Sequence, residues 1–213
     1  MATKYGFSDV RDQLLDSIKG AYPTKWEDPG AGNVVGENVF GLPIPHPNAV
    51  LNVFMEQGVK PALPFAAYRA ALGGFSSLTS DKPGTVLPRL ALASTIYGME
   101  MIRARLARLA HLVVCEMTLG ECHDNTCAVN VNSNPARLRI GALNKIYDTM
   151  VKGGKGDALF SRLPENVVCV NCAKTPEQAY HCWCEMIWKE LPHVFGVGKS
   201  WEEVQLDIGQ MER

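Results

Sequence analysis

The chain has 213 residues with 21 basic and 22 acidic side chains, a net charge of −1. That length buries a real core and suits one large domain or two small ones, while the near-zero charge excludes a global field that would draw in nucleic acid or an anionic membrane. No run of about eighteen apolar residues occurs, and the opening MATKYGFSDVRDQLL lacks the apolar stretch of about seven to fifteen residues of a secretory signal. The expectation is a soluble, intracellular protein of the cytoplasm or nucleus with no membrane partner.

In chain order, the first predicted helix runs from Ser8 to Lys19: Ser8 caps, Asp9 and Asp12 favour the positive end of the dipole, and Val10, Leu14, Ile18 and Ala21 form a stripe. Residues 24–44 are rich in Gly, Asn and Pro and read as irregular loop. A second helix begins at His46-Pro47-Asn48, carries Val50, Leu51 and Phe54 inward and stops at Gly58. A third covers about Pro61 to Leu72 and ends at Gly73-Gly74. After the turn-prone TSDKPG, the longest helix spans Leu87 to about Glu116. Its residues Leu92, Ile96, Met99, Ile102, Leu106, Leu109 and Val113 keep a period of three and four, which marks it as the central rod, with Arg103, Arg105 and Arg108 on its wetter flank. Another helix is expected from Pro135 to Met150. The last begins with Thr175 as cap, Pro176 at the first position and Gln178 closing a capping box. It buries Tyr180, Trp183, Cys184, Ile187, Trp188 and Leu191, and Pro192 stops it.

Alternating β-branched runs are confined to short pieces near Val34-Val35 and 166–170, and no internal repeat or long linker divides the chain. The fold expected is therefore mainly α: a compact helical bundle forming one domain over 1–213. Its N-terminal helices and long core helix fill 1–115, and 116–213 form a cysteine-rich part.

All seven cysteines lie between Cys115 and Cys184. An odd count in a chain expected in a reducing compartment argues against a disulfide framework and leaves metal binding or buried thiols. The strongest constellation pairs Cys122 and Cys127 with Cys169 and Cys172: two short knuckles, each supplying two thiolates, suit tetrahedral zinc. The competing reading is four reduced thiols packed as small hydrophobes. His123 also competes for a ligand position. Cys184 shares the apolar face of its helix and reads as a core thiol, as does Cys115 at the end of the long helix. His181 and Cys182 are adjacent, point to different helical faces and do not ligate one metal together. Redox exchange would place the Cys-x-x-Cys pair at a helix start, and with that start at Thr175 a zinc knuckle fits the spacing better.

Other chemistry finds little purchase. GGKGD at 153–157 lacks the spacing and the Ser or Thr of a phosphate loop, and no nucleophile elbow or paired metal-binding carboxylates occur. Nothing groups one Cys with one His and an orienting third residue. The arginines, Arg89, Arg137 and Arg139 included, lack interleaved aromatics for base stacking, which argues against nucleic acid.

Several motifs then fall into an order. TKYGFSDVRDQLLDSIKGAYPT, PHPNAVLNVFMEQGVKPALPFAAYRAAL, and the tail with CVNC, Trp188, Leu191-Pro192, Phe195-Gly196 and Trp201-Glu202-Glu203 together resemble the region that follows the BTB/POZ core in BTB-domain proteins of mushroom-forming fungi. The resemblance touches nearly the whole chain. It departs where the family's Gly-Arg-Glu reads Gly98-Met99-Glu100, where its Gly-Arg reads Trp183-Cys184, and in lacking the BTB core expected before Lys4. It implies a C-terminal helical module, whereas the family's dimerisation and its recruitment to ubiquitin ligases or transcriptional complexes reside mainly in the core. The expectation is thus a non-enzymatic protein-interaction module with a structural zinc on Cys122, Cys127, Cys169 and Cys172, an unidentified protein partner, and self-association as an option. The alternative is a small thiol- or metal-dependent enzyme that uses the same cysteines.

Overall fold

The structure, a computed structural model, describes residues 46–117 and 170–205, the backbone of 38–39 and 42–43, and the single positions Gln13, Tyr22 and Trp26; the side chains of 106, 109–117 and 170–180 are outside that description. Within these residues the fold is mainly α. Two-residue strands β1 (Asn38–Val39) and β2 (Leu42–Pro43) pair antiparallel, with Val39 opposite Leu42. Apart from Gln13, which is helical, the helix expected at 8–19 lies outside the described residues, as does the one expected at 135–150.

Helix α1 (Pro47–Glu56) starts where its proline predicts. A proline at the first position has no N–H to orphan and a pre-set φ, and His46 before it takes an extended conformation whose Nδ1 accepts the Asn48 N–H. Val50, Leu51 and Phe54 are buried, as their spacing requires. A 3-10 turn (Lys60–Ala62) leads into α2 (Leu63–Leu72), and Gly74, at φ +73°, separates α2 from a short α3 (Gly74–Leu78) that periodicity did not single out. The loop to α4 contains a type II turn at Lys82-Pro83-Gly84-Thr85: proline at the second position, glycine at φ +78° at the third, and the Thr85 N–H donated to the Lys82 carbonyl at 3.0 Å. Helix α4 (Arg89–Met117) and helix α5 (Val170–Val194) complete the set, followed by a helical turn at 201–205.

Among the described residues α2 is a hub of the core. Its sequence LPFAAYRAAL buries residues on every side, with Phe65, Ala66, Tyr68 and Ala70 fully enclosed, and it touches α1, α3, α4 and α5. Four alanines explain the position, because small side chains let neighbouring helices approach closely from several directions. Among the residues of α4 whose side chains are described, Thr95, Gly98, Met99 and Ile102 are buried, while Leu92 and Ile96 are half-buried. Helices α4 and α5 lie antiparallel: Gly98 meets Phe195, Arg105 meets Glu190, and Arg108 meets Trp183.

Two expectations about α5 are corrected. It is described from Val170, so Pro176 lies within it and the Thr175 capping box does not begin it. It also continues past Pro192 to Val194. What ends it is a Schellman motif, in which the Val197 N–H reaches back to the Pro192 carbonyl at 2.9 Å and the Gly196 N–H to the His193 carbonyl at 3.1 Å, with Gly196 at φ +68°. Pro192 has no N–H for the carbonyl four residues earlier, that of Trp188. The indole Nε1–H of Trp201 donates to that carbonyl at 2.7 Å instead. Trp201 thereby closes the gap the proline opens and stacks on Trp188 with ring centroids 4.6 Å apart.

Gly98 is where α4 admits the end of α5. A Cβ there would overlap the Phe195 ring, which is itself buried. Gly98→Ala should therefore lower stability: alanine gains about 1 kcal/mol of helix propensity, but overpacking a filled core costs about 1–3 kcal/mol. Urea unfolding of Gly98→Ala alone and combined with Phe195→Leu checks the cause, since the glycine substitution should become neutral or stabilising once the ring is gone.

Candidate functional site

Three constellations stand out among the described residues. The first is aromatic. Trp188 is 2% exposed and lies against Trp201, Phe65 and Trp26, while Tyr22 meets Phe54 and Phe65 edge to face. Trp26 also meets His181. The expected face of α5 is thus confirmed at Cys184, Ile187, Trp188 and Leu191, all buried, with Trp183 half-buried and the Tyr180 side chain outside the described residues. Its residues build the core.

Burial pushes the Tyr22 phenol above its ordinary value of 10.0, and the nearby Arg69 charge only partly opposes this. With the folded value above the unfolded one, Tyr22 contributes stability that is complete below about pH 10 and is lost as pH rises through the folded value. Tyr22→Phe should accordingly flatten the alkaline decline. Denaturation midpoints taken at about pH 8 and again above about pH 10 test this, and an equal fall in both proteins would contradict it.

The second constellation is polar and sits at the start of α1. Asn48, fully buried, donates through Nδ2 to the carbonyls of Ser77 (2.9 Å) and Thr85 (3.1 Å). One turn on, Asn52 donates to the carbonyls of Gly84 (3.3 Å) and Val86 (2.9 Å). The two amides hold the loop between α3 and α4 by its backbone, and those four carbonyls fix which way each amide faces. Each Oδ1 is left buried without a donor. The Thr85 hydroxyl donates to the Lys82 carbonyl and also meets the Ser80 hydroxyl at 3.0 Å.

His46 and Ser77 have the look of a catalytic pair, with Nε2 and Oγ 3.2 Å apart. The rest of the network decides otherwise. Nδ1 accepts the Asn48 N–H, so the neutral ring carries its proton on Nε2 and donates it to Ser77 Oγ. A base must accept the hydroxyl proton through that nitrogen. His46 is a helix cap in this arrangement, not an activator of Ser77. Sequence reading placed the helix start here but missed the cap, because histidine is not among the favoured N-cap residues; the signal available was Pro47, which makes residue 46 the cap position.

The third constellation is the α4–α5 seam. Arg105 ion-pairs with Glu190, and the Arg108 guanidinium lies 6.0 Å from the centre of the Trp183 ring. Arg103 bonds to Glu100 on its own helix. The three arginines lie on the wetter flank, as expected, and two of them also tie α4 to α5.

Of the proposed zinc ligands, Cys122, Cys127 and Cys169 lie outside the described residues, and only the backbone of Cys172 is described, in the first described turn of α5. Side chains of Cys115 and position 123 are likewise outside. Cys184 is a buried thiol in no disulfide, as read, and Cys182 is an exposed one. Among the described residues no three His, Cys, Asp or Glu side chains gather to hold a metal, and no helix is long and apolar enough to cross a membrane. Large apolar side chains do face solvent. Phe75 on α3, Val86 in the following loop, and Leu90 and Tyr97 on the N-terminal half of α4 are exposed, Leu90 at 85% and Tyr97 at 61%. Leu90 and Tyr97 are seven residues apart, on one side of the helix.

Comparison of the chain with known protein families, curated proteins and solved structures finds no match.

Proposed function

We propose that the chain is a non-enzymatic protein-interaction module related to the C-terminal region of BTB/POZ-domain proteins, a compact helical bundle whose cysteine-rich part is stapled by a structural zinc on Cys122, Cys127, Cys169 and Cys172. The observation that carries the interaction reading is the exposed apolar set Phe75, Val86, Leu90 and Tyr97 on neighbouring stretches of α3, the loop and α4. A contiguous exposed apolar patch marks a docking site, and the reading takes Phe75, Val86, Leu90 and Tyr97 to form one. The motifs that carry the family resemblance support the reading in a second way. Leu191-Pro192, Phe195-Gly196 and Trp201 interlock around Trp188, which makes them scaffold and leaves the surface residues free to set the partner.

A photo-crosslinking side chain placed at Tyr97 in cells should give a discrete adduct that Leu90→Glu reduces at least about tenfold, the equivalent of one 1.4 kcal/mol contact. Labelling at the exposed Glu202 serves as control. Labelling from position 97 no stronger than from 202 would end the interaction reading for this surface.

One observation favours the second reading, a thiol- or metal-dependent enzyme. Cys172 lies in the first described turn of α5, and a helix that began there would favour its thiolate. Fast alkylation of Cys172 in mildly acidic buffer, without bound zinc, would select it. Stoichiometric zinc and slow alkylation select the structural site.

A further inference from the structure

Building on the interaction reading above, we infer that the exposed face of α4 takes an acidic amphipathic helix of a partner protein, whose apolar side chains rest on Leu90 and Tyr97 and whose carboxylates meet Arg89 and Arg108. Helix α4 has a second apolar side besides the one that Thr95, Met99 and Ile102 bury in the core. Leu90, Ala93, Tyr97 and Ala104 are exposed along it at helical spacing, with Met101 half-buried at its margin. From Leu90 to Tyr97 the sequence LALASTIY has no charged residue, whereas a helix face that meets only water carries charge. Large and small side chains in turn along a helix form ridges and grooves that fit another helix.

The charges at the two ends of this face have one sign. Arg89, exposed, is the first residue of α4, and no acidic residue stands in that first turn. A cation at the positive end of a helix dipole is the unfavourable arrangement, and a carboxylate brought from outside offsets it. Arg108, also exposed, stands about five turns beyond Leu90 and so returns to the same side of the helix. Among the described residues neither Arg89 nor Arg108 forms an ion pair. The acids beside them are engaged already, Glu100 by Arg103 and Glu190 by Arg105. In the loop before α4, Asp81 and Lys82 are both exposed and offset each other.

A second copy of the chain fits the apolar stripe but not its charge. Laid parallel, two α4 faces set Arg89 against Arg89 and Arg108 against Arg108; laid antiparallel with Tyr97 on Tyr97, they bring Arg89 level with Arg105. Like charges across an interface reject a partner that its apolar contacts would accept. Residues 135–150 of this chain, with Arg137, Arg139 and Lys145 against Asp148 alone, meet the same objection. A helix with Asp or Glu flanking its apolar residues relieves the positive end of α4 and pairs both arginines.

Two fluorescently labelled helical peptides of about eighteen residues, the length of the face, test this against the full chain by anisotropy. They share leucines at spacings of three and four and differ only in their flanking residues, glutamate in one and lysine in the other. The glutamate peptide should bind at least about tenfold more tightly, and the gap should narrow as salt rises. Arg89→Glu should erase or reverse the preference, while Arg89→Lys keeps it; glutamate suits the first turn of a helix, so the variant stays folded. Leu90→Ser should weaken both peptides alike. Equal binding of the two peptides, or a preference that Arg89→Glu does not move, would overturn the inference and leave the interaction reading to the crosslink at Tyr97. Absence of binding by either peptide at up to about 1 mM, the weak end of specific affinities, would overturn it as well. So would a Tyr97 adduct that maps to this chain itself, whether to residues 8–19 or to a second copy, since the face would then be covered without a partner protein.

Discussion

Trp188→Ala should lower the unfolding free energy by about 3–5 kcal/mol, the range for large aromatic truncations in cores. The side chain is 2% exposed and packs on Phe65, Trp26 and Trp201, so the cavity would open where α2, α5 and the turn at 201–205 meet. Against a net stability of about 5–15 kcal/mol for a domain, that is a large fraction. Trp201→Phe separates packing from polarity. Phenylalanine preserves much of the stack but gives the Trp188 carbonyl no donor, and a buried acceptor left bare costs about 1–3 kcal/mol. Urea midpoints of the two variants measure both effects. A Trp188→Ala midpoint equal to wild type would place the side chain outside the core, and a Trp201→Phe midpoint equal to wild type would mean the carbonyl finds water.

The prolines show where reading from sequence succeeds and where it stops. Pro47 was legible as a helix start, because everything needed is local: a fixed φ and an N–H that the first turn does not use. Pro192 read as a helix stop by the same local logic, yet α5 passes it. The missing bond is supplied by Trp201, thirteen residues after Trp188, and no window around the proline contains that information. Pro176 misled in the opposite sense, offering a local start signal inside a helix that is already under way at Val170. Arg103, Arg105 and Arg108 do lie on the wetter flank of α4, none of them buried, but periodicity gives the face of a helix and not what lies opposite; the partners of Arg105 and Arg108, Glu190 and Trp183, belong to another helix.

The place of α2 was hard to read for a related reason. The long apolar stripe of α4 has the stronger periodic signal, whereas α2 is buried all round and so has little amphipathic contrast to detect. The polar network of His46, Asn48 and Asn52 was the least legible part, since its partners are backbone carbonyls of a loop about thirty residues away and any residue type could have supplied them. Gly98, noted only as the glycine that opens Gly98-Met99-Glu100, acquires its reason from Phe195, nearly a hundred positions downstream.

Removing zinc should have the largest effect of all if Cys122, Cys127, Cys169 and Cys172 share one ion. Structural zinc in small domains binds with about 10–16 kcal/mol, all of which appears as folding free energy, and that is comparable with the whole net stability of a domain. The ion would also close a chain of about forty residues between Cys127 and Cys169, whose loop-closure entropy adds to the unfolding of the unmetallated protein. Chelation should therefore expose amides at the start of α5 first, near Cys172, and those of α1 and α2 later, because that core is built on Phe54, Phe65 and Tyr68 and contains no proposed ligand. Purified protein should carry one zinc per chain. Serine at any one of the four positions should abolish it, whereas Cys184→Ser, in the core, and Cys182→Ser, at the surface, should leave it bound. Zinc absent from the purified protein, or retained in full by Cys169→Ser, would remove the site and leave the four cysteines as reduced thiols.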